Sequence, residues 1–254
     1  MKKEHDFSVT ALRVVQEATG QIEPNPTKTR AFDAKALGRR GGLKGGKARA
    51  EKLTPEQRSE IASKAGRARW AAFLYDEIKA TQAAALLLEL NGGSIDYAKC
   101  IKLLYSIEKE SLNRWMRPVI YDDLYSMPFG QAVSQTMDRA EYRQRKAKSF
   151  WSNHIETSAD NNLQLIKECG KEKLSRAEIE LIEEIFETNR NKPTEQLFDE
   201  HHDAKLFPEW KDPHGSSIKT THSDLLSYLG KTPDQIKEFE EHLAELAYLK
   251  KMST

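Results

Sequence analysis

Between residues 79 and 130 the chain shows its clearest alternation of apolar and polar positions. Residues 83–88 are the longest apolar run, and Asn91-Gly92-Gly93 follows as a stop. Beyond it Tyr97, Ile101, Leu104, Tyr105, Leu112 and Trp115 recur at steps of three, four and seven, one face of a 3.6-residue helix. This pattern predicts a helical hairpin that nucleates the core. Ser94 and Asp96 are both candidate N-caps of its second helix, since either side chain can accept from an orphan backbone N–H. Arg117-Pro118 ends that helix, because proline disfavours helical geometry in the residue before it. Residues 119–127 are β-branched and aromatic and predict a strand that closes at Pro128 and Gly130.

The same reading extends in both directions. Residues 8–19 have helical spacing and 22–29 read as a proline-containing linker. Thr54-Pro55-Glu56-Gln57 is a capping box with proline at the first helical position. From Trp70 a helix turns apolar through Phe73, Leu74 and Ile78, a face expected to be buried on the body. After Gly130, residues 131–148 predict a charged helix, while 150–156 and 162–168 alternate around Ser158-Ala159-Asp160-Asn161 as a hairpin. With the strand at 119–127 that hairpin would make a small three-stranded sheet. Ser175 to Glu178 and Thr232 to Gln235 are two more capping boxes, and a further helix is expected at 195–204. The last helix carries a stripe of Ile236, Phe239, Leu243, Leu246 and Leu249 that can close the core. The expected fold is mainly α, of the α+β kind, preceded by a basic helical arm.

Charge divides the chain more sharply than its net value of +1 indicates. Residues 27–70 hold 13 Lys or Arg against 4 Asp or Glu, a net of +9, whereas residues 71–254 hold 24 against 31, a net of −7. The boundaries that follow are a short helix and linker at 1–36, a basic arm at 37–78 and a body at 79–250. The arm interleaves Gly38, Gly41, Gly42, Gly45 and Gly46 with cations, and GKARA at 46–50 is partly repeated as GRARW at 66–70. It resembles the Lys-Gly-Gly motif of small bacterial stress and DNA-associated proteins. Glycines let backbone N–H groups approach phosphates, so Arg39, Arg40, Lys44, Lys47, Arg49, Lys64, Arg67 and Arg69 are the candidate nucleic-acid contacts. No aromatic residue is interleaved among these cations before Trp70, which favours double-stranded DNA over stacking on single strands. A solvated tether is the competing reading.

Cys100 and Cys169 form no ligand or redox spacing and fit a reducing cytoplasm. Nothing at the N-terminus reads as a signal peptide, and no apolar run approaches the ~20 residues of a membrane-spanning helix. His201, His202 and Asp203, with His214 and His222, are the one cluster worth testing for metal or catalysis. Adjacent histidines on a helix point about 100° apart and do not chelate one ion as an i, i+4 pair does; packing beside Trp210 is the preferred reading. No phosphate loop or nucleophile–base spacing is present. The expectation is a non-enzymatic protein without cofactor or metal.

Residues 95–112 (IDYAKCIKLLYSIEKESL), the Arg-Pro turn and residues 122–133 (DDLYSMPFGQAV) resemble the Panacea domain, also called the SocA-like antitoxin domain. Residues 174–187 (LSRAEIELIEEIFE) and 216–241 are similar to its closing helices. In place of a Tyr-Gly-Pro-Val-like turn this chain has Pro128-Phe129-Gly130-Gln131. The resemblance implies an antitoxin of a two-gene system that binds and silences a cognate toxin protein without catalysis. Tyr121, Tyr125 and Phe129, evenly spaced on the expected strand, would share one face and supply toxin-binding anchors; core burial is the alternative for that face. The runner-up function is a DNA-binding transcriptional regulator whose body mediates homo-oligomerisation. An enzyme built on the histidine cluster is the third.

Overall fold

The chain divides into two compact units, Met1–Ser59 and Glu60–Thr254. The computed structural model describes residues 74–141 and 148–252, together with 39, 52–55 and 57–58. The expected helix at 8–19, the linker at 22–29 and most of the basic arm lie outside the described residues. In the first unit the capping box is made: Thr54 Oγ1 accepts from the Gln57 N–H at 3.2 Å, and Gln57 Oε1 accepts from the Thr54 N–H at 2.9 Å.

In the second unit the helical hairpin is the centre. Helix α1, Glu77–Leu90, is capped by Asp76, which accepts from the Lys79 N–H, and every residue from Ala80 to Leu88 is buried. Asp76 is extended, so α1 starts afresh at Glu77 and Leu74 and Ile78 do not share one helix; Trp70 and Phe73 lie outside the described residues. Ile78 therefore falls in a first turn and is 37% exposed, while Leu74 is buried. Gly92 and Gly93, both at positive φ, reverse the chain into strand β1, Ser94–Asp96. Helix α2, Tyr97–Trp115, starts on Asp96, whose carboxylate accepts from the Lys99 N–H at 2.8 Å. It ends one residue before a left-handed Met116, short of Arg117-Pro118. Ile101, Leu104, Tyr105 and Leu112 are buried as their spacing predicts.

Two three-stranded antiparallel sheets flank this hairpin, and their membership differs from expectation. Strand β2 covers only Leu124–Met127. Ahead of it the N–H groups of Val119 and Ile120 are taken by Glu108 Oε1 at 2.8 and 2.7 Å, and Tyr121 is left-handed at φ 58°, so no ladder can start there. Strand β3, Gly130–Val133, pairs with β2 where a helix was expected; helix α3 is confined to Ser134–Ala140. The hairpin forms as β4, Ile155–Thr157, and β5, Asn162–Leu165, but its third strand is β1, which pairs with β5. Residues 151–153 are a 3-10 turn, with Trp151 buried.

Helix α4, Arg176–Asn189, opens with the predicted capping box between Ser175 and Glu178 and packs on α1 and α2. Helix α5, Thr194–His202, is followed by an irregular connection and strand β6, Ile218–Thr220, which pairs with β2. Helix α6, His222–Tyr228, carries a second reciprocal cap, Thr221 with Asp224. Helix α7, Pro233–Met252, buries Phe239 and Ala247, and Ile236 and Leu243 pack partly against the core. Leu249, assigned to the closing stripe, is instead 61% exposed. Among the described residues no helix is long and apolar enough to cross a membrane.

Candidate partner-binding site

The turn between β2 and β3 is held more tightly than a hairpin turn requires. Gly130 lies at φ 88°, and a Cβ placed on it would come within 2.5 Å of the His201 Cβ and 3.2 Å of the Lys102 Nζ. Only glycine allows the turn to settle on α5 this closely. Side chains from three separate segments then bind its carbonyls. Lys102 of α2 donates to the Gln131 carbonyl at 2.5 Å, and the Trp210 indole donates to the Met127 carbonyl at 3.1 Å. His202 Nε2 of α5 is 3.0 Å from the Pro128 carbonyl. A carbonyl only accepts, so this geometry places a proton on that nitrogen.

These holding groups are themselves anchored. The Lys102 amine is buried, and burial pushes its pKa down to about 7. His201 stacks on Phe207 at 3.9 Å and meets Tyr105 edge-on at 5.8 Å. Burial, with the nearby Lys102 and Lys109, holds its pKa well below the usual imidazole range, so it is neutral. The Tyr105 hydroxyl donates to Glu209 at 2.9 Å, and Lys109 donates to both Glu209 oxygens at 3.0 Å and to the Leu206 carbonyl at 2.6 Å. Lys102, Tyr105 and Lys109 thus form one stripe of α2 that fastens both the turn and the connection bearing Trp210.

What this scaffold presents is Phe129. Its ring lies 5.4 Å from that of Phe198 on α5 and is 67% exposed. Tyr125 stays on β2, half-buried, with the Lys219 ammonium 5.9 Å from its ring. Tyr121 precedes the strand in a left-handed turn, so the two-residue alternation does not reach it. The three aromatics therefore do not share a strand face. Of the proposed nucleic-acid contacts, Arg39 is described and exposed; Arg40, Lys44, Lys47, Arg49, Lys64, Arg67 and Arg69 lie outside the described residues. The histidines go to different places. His201 points inward, His202 stacks edge-on to Trp210 at 4.5 Å, His222 is buried beside Glu108, and His214 is exposed beside Asp212.

The sequence reading did not single out Lys102, Phe198 or Glu209, and it named Gln131 only as part of the turn. The available signal was the spacing of Lys102 and Lys109 three residues before and four after Tyr105, which sets all three on one side of the helix; Tyr105 alone was read, as part of the apolar face.

Residues 101–211 match the family model described as antitoxin SocA-like, Panacea domain. This part of the chain is similar to the Panacea domain. The matched residues run from the start of the Lys102 stripe to just past Trp210, and so include every group that holds the β2–β3 turn. The Panacea domain supports an antitoxin role in general. Helices α6 and α7, which the sequence reading attached to the same domain, lie beyond the matched residues. No curated protein and no solved structure matches the chain.

Proposed function

We propose that this chain is the antitoxin of a two-gene toxin–antitoxin pair and neutralises the co-encoded toxin by direct binding, not by catalysis. The Panacea match supports the class of role, and one observation carries the site: a large aromatic ring left in solvent on a turn that three side chains immobilise. Folding gains nothing from exposing Phe129, whereas a rigid ring with little ordering entropy to lose is what an interface anchor needs. Tyr125 is its candidate neighbour in the contact. Co-expression of the full-length chain with the product of the adjacent reading frame tests the proposal. Phe129→Ala is expected to abolish rescue of growth, and to weaken the purified complex by ~2 kcal/mol, about 30-fold in Kd. Rescue undiminished in Phe129→Ala, with an unchanged Kd, would remove Phe129 from the site. Double-stranded DNA is proposed as a second partner, through the cations of residues 37–70, which would allow autoregulation.

A further inference from the structure

We infer that the Phe129–Phe198 surface receives an arginine side chain from a basic face of its protein partner. That this partner is the toxin rests on the reading above; the recognition chemistry stands on the surface itself. Glu195, Phe198 and His202 follow one another at steps of three and four along one side of α5. The turn lies along that stripe, with Pro128 at His202 and the Phe129 ring against Phe198. Glu195 continues it one turn further, and Asp199 lies next to Phe198 in sequence; both carboxylates are exposed. Among the described residues neither has a salt bridge. The nearby cations are already occupied, Lys192 by Glu200 at 2.8 Å and Lys102 by the Gln131 carbonyl; the Lys102 amine also lies 5.8 Å from the Phe198 ring centroid, which leaves the exposed Phe129 ring as the face an incoming guanidinium would stack on. Lys205 and Lys211 are exposed, but they lie past the other end of α5.

An aromatic pair with two exposed carboxylates at hand, Glu195 one helical turn away and Asp199 adjacent in sequence, selects among partners. A purely apolar surface would cover Glu195 and Asp199 without pairing them, which is costly for ionised groups. A nucleic acid or an acidic protein would meet like charge, both here and from a body with a net of −7. Arginine satisfies both halves. Its planar guanidinium stacks on a ring face while its N–H fork reaches a carboxylate, and a lysine ammonium does this less well.

The test uses the full-length chain with labelled phenylalanine rings, titrated in an NMR experiment with acetyl-Arg-Leu-Arg-amide and with its lysine and glutamate counterparts. The arginyl peptide is expected to shift the Phe129 and Phe198 ring signals, the lysyl peptide several-fold more weakly, and the glutamyl peptide not at all. Glu195→Lys/Asp199→Lys should abolish the shifts, and the neutral pair Glu195→Gln/Asp199→Asn should reduce them with the melting temperature unchanged. Against the purified product of the adjacent reading frame, the charge-reversed variant should bind at least tenfold more weakly, and the wild-type complex should weaken with added salt. Phe129 signals that ignore the arginyl peptide, or equal peptide binding by the charge-reversed variant, overturn the inference. Toxin binding that is indifferent to the charge reversal overturns it too and leaves the antitoxin reading standing. Peptide binding as expected without any binding of the adjacent gene product has the opposite meaning: the arginine site stands and the toxin assignment falls.

Discussion

Glu108 shows how a single residue can shape the body and make its stability depend on pH. Its Oε1 accepts from the N–H groups of Val119 and Ile120, while its Oε2 lies 3.9 Å from His222 Nε2, and among the described residues neither of those two atoms has a hydrogen-bond partner. Burial raises the Glu108 pKa to about 8, with the nearby Asp122 pushing the same way and Lys79 opposing, and burial lowers that of His222 to about 4. The folded state therefore keeps a proton on Glu108 that the unfolded chain releases above its ordinary value of 4.5. Stability from this group is complete below about 4.5 and is lost as pH rises to about 8. His222 has the opposite sign, adding stability as pH rises from about 4 to 6.5, and Lys102 does the same above about 7. Glu108→Gln isolates the first contribution. Its amide oxygen can still accept from both N–H groups, and it cannot ionise. Relative to wild type the variant should gain stability between pH 5 and 8, with a slope of up to about 1.4 kcal/mol per pH unit, and then level off. Denaturant unfolding of both proteins across that range checks it, and parallel profiles would show that the buried carboxyl is already ionised in the fold. Gly130 gives a second test at the same scale. With φ 88° and the His201 Cβ in the way, Gly130→Ala should cost ~2 kcal/mol or more and move the Trp210 emission, because the turn must lift from the residues that hold it. An unchanged spectrum and melting temperature would contradict that close packing.

At the scale of elements, the junction of α2 with the α4–α5 connection repeats the same logic. Asp96 caps α2 and also accepts from the Thr194 hydroxyl at 2.9 Å, and the Lys99 amine donates to the carbonyls of Arg190 and Lys192 at 2.9 and 2.8 Å. One carboxylate thus serves the beginnings of two helices. Asp96→Ala should destabilise by ~1 to 2 kcal/mol, and Asp96→Asn, which keeps an acceptor oxygen, by clearly less. Equal losses in the two variants would mean that charge, not capping, is what Asp96 supplies. Elements of this kind were readable in advance. The capping residues at 54, 175 and 232 and the Gly-Gly break act within four residues of themselves, and sequence shows local chemistry directly. The sheets were read less well, because strand pairing is decided by contacts remote in sequence. Whether residues 119–123 join a ladder depends on Glu108, eleven positions away, and the partner of β5 is β1, nearly seventy positions away. The Phe129 turn was half legible. Its aromatic residue and its glycine announced a turn with something to present, but its fastening by Lys102, His202 and Trp210 exists only once α2, α5 and β2 have assembled.

For the molecule as a whole, the segregation of charge is the property with the widest consequence. Residues 27–70 carry a net of +9 and residues 71–254 a net of −7, so one chain offers surfaces suited to partners of opposite sign. Duplex DNA is the proposed partner of the basic segment, and salt dependence is the measurement that distinguishes it from a solvated tether. Each phosphate neutralised releases condensed counterions, so six contacts among Arg39, Arg40, Lys44, Lys47, Arg49, Lys64, Arg67 and Arg69 imply a slope of log K against log salt of about −5. The acidic residues of the body cannot add to such a slope, because they repel phosphate. Replacing Arg39, Arg40, Lys44 and Lys47 by glutamine in the full-length chain removes two to four of those contacts and should therefore flatten the slope by about 2 to 4 and weaken binding uniformly across DNA sequences, while leaving toxin binding and melting temperature unchanged. Band shifts or fluorescence anisotropy on a duplex at 50 to 200 mM salt, about the range over which this effect is large, provide the measurement. A wild-type chain that fails to bind duplex DNA at the lowest salt would reduce the basic segment to a solubilising tether. A substituted chain with an unaltered slope would place the phosphate contacts elsewhere.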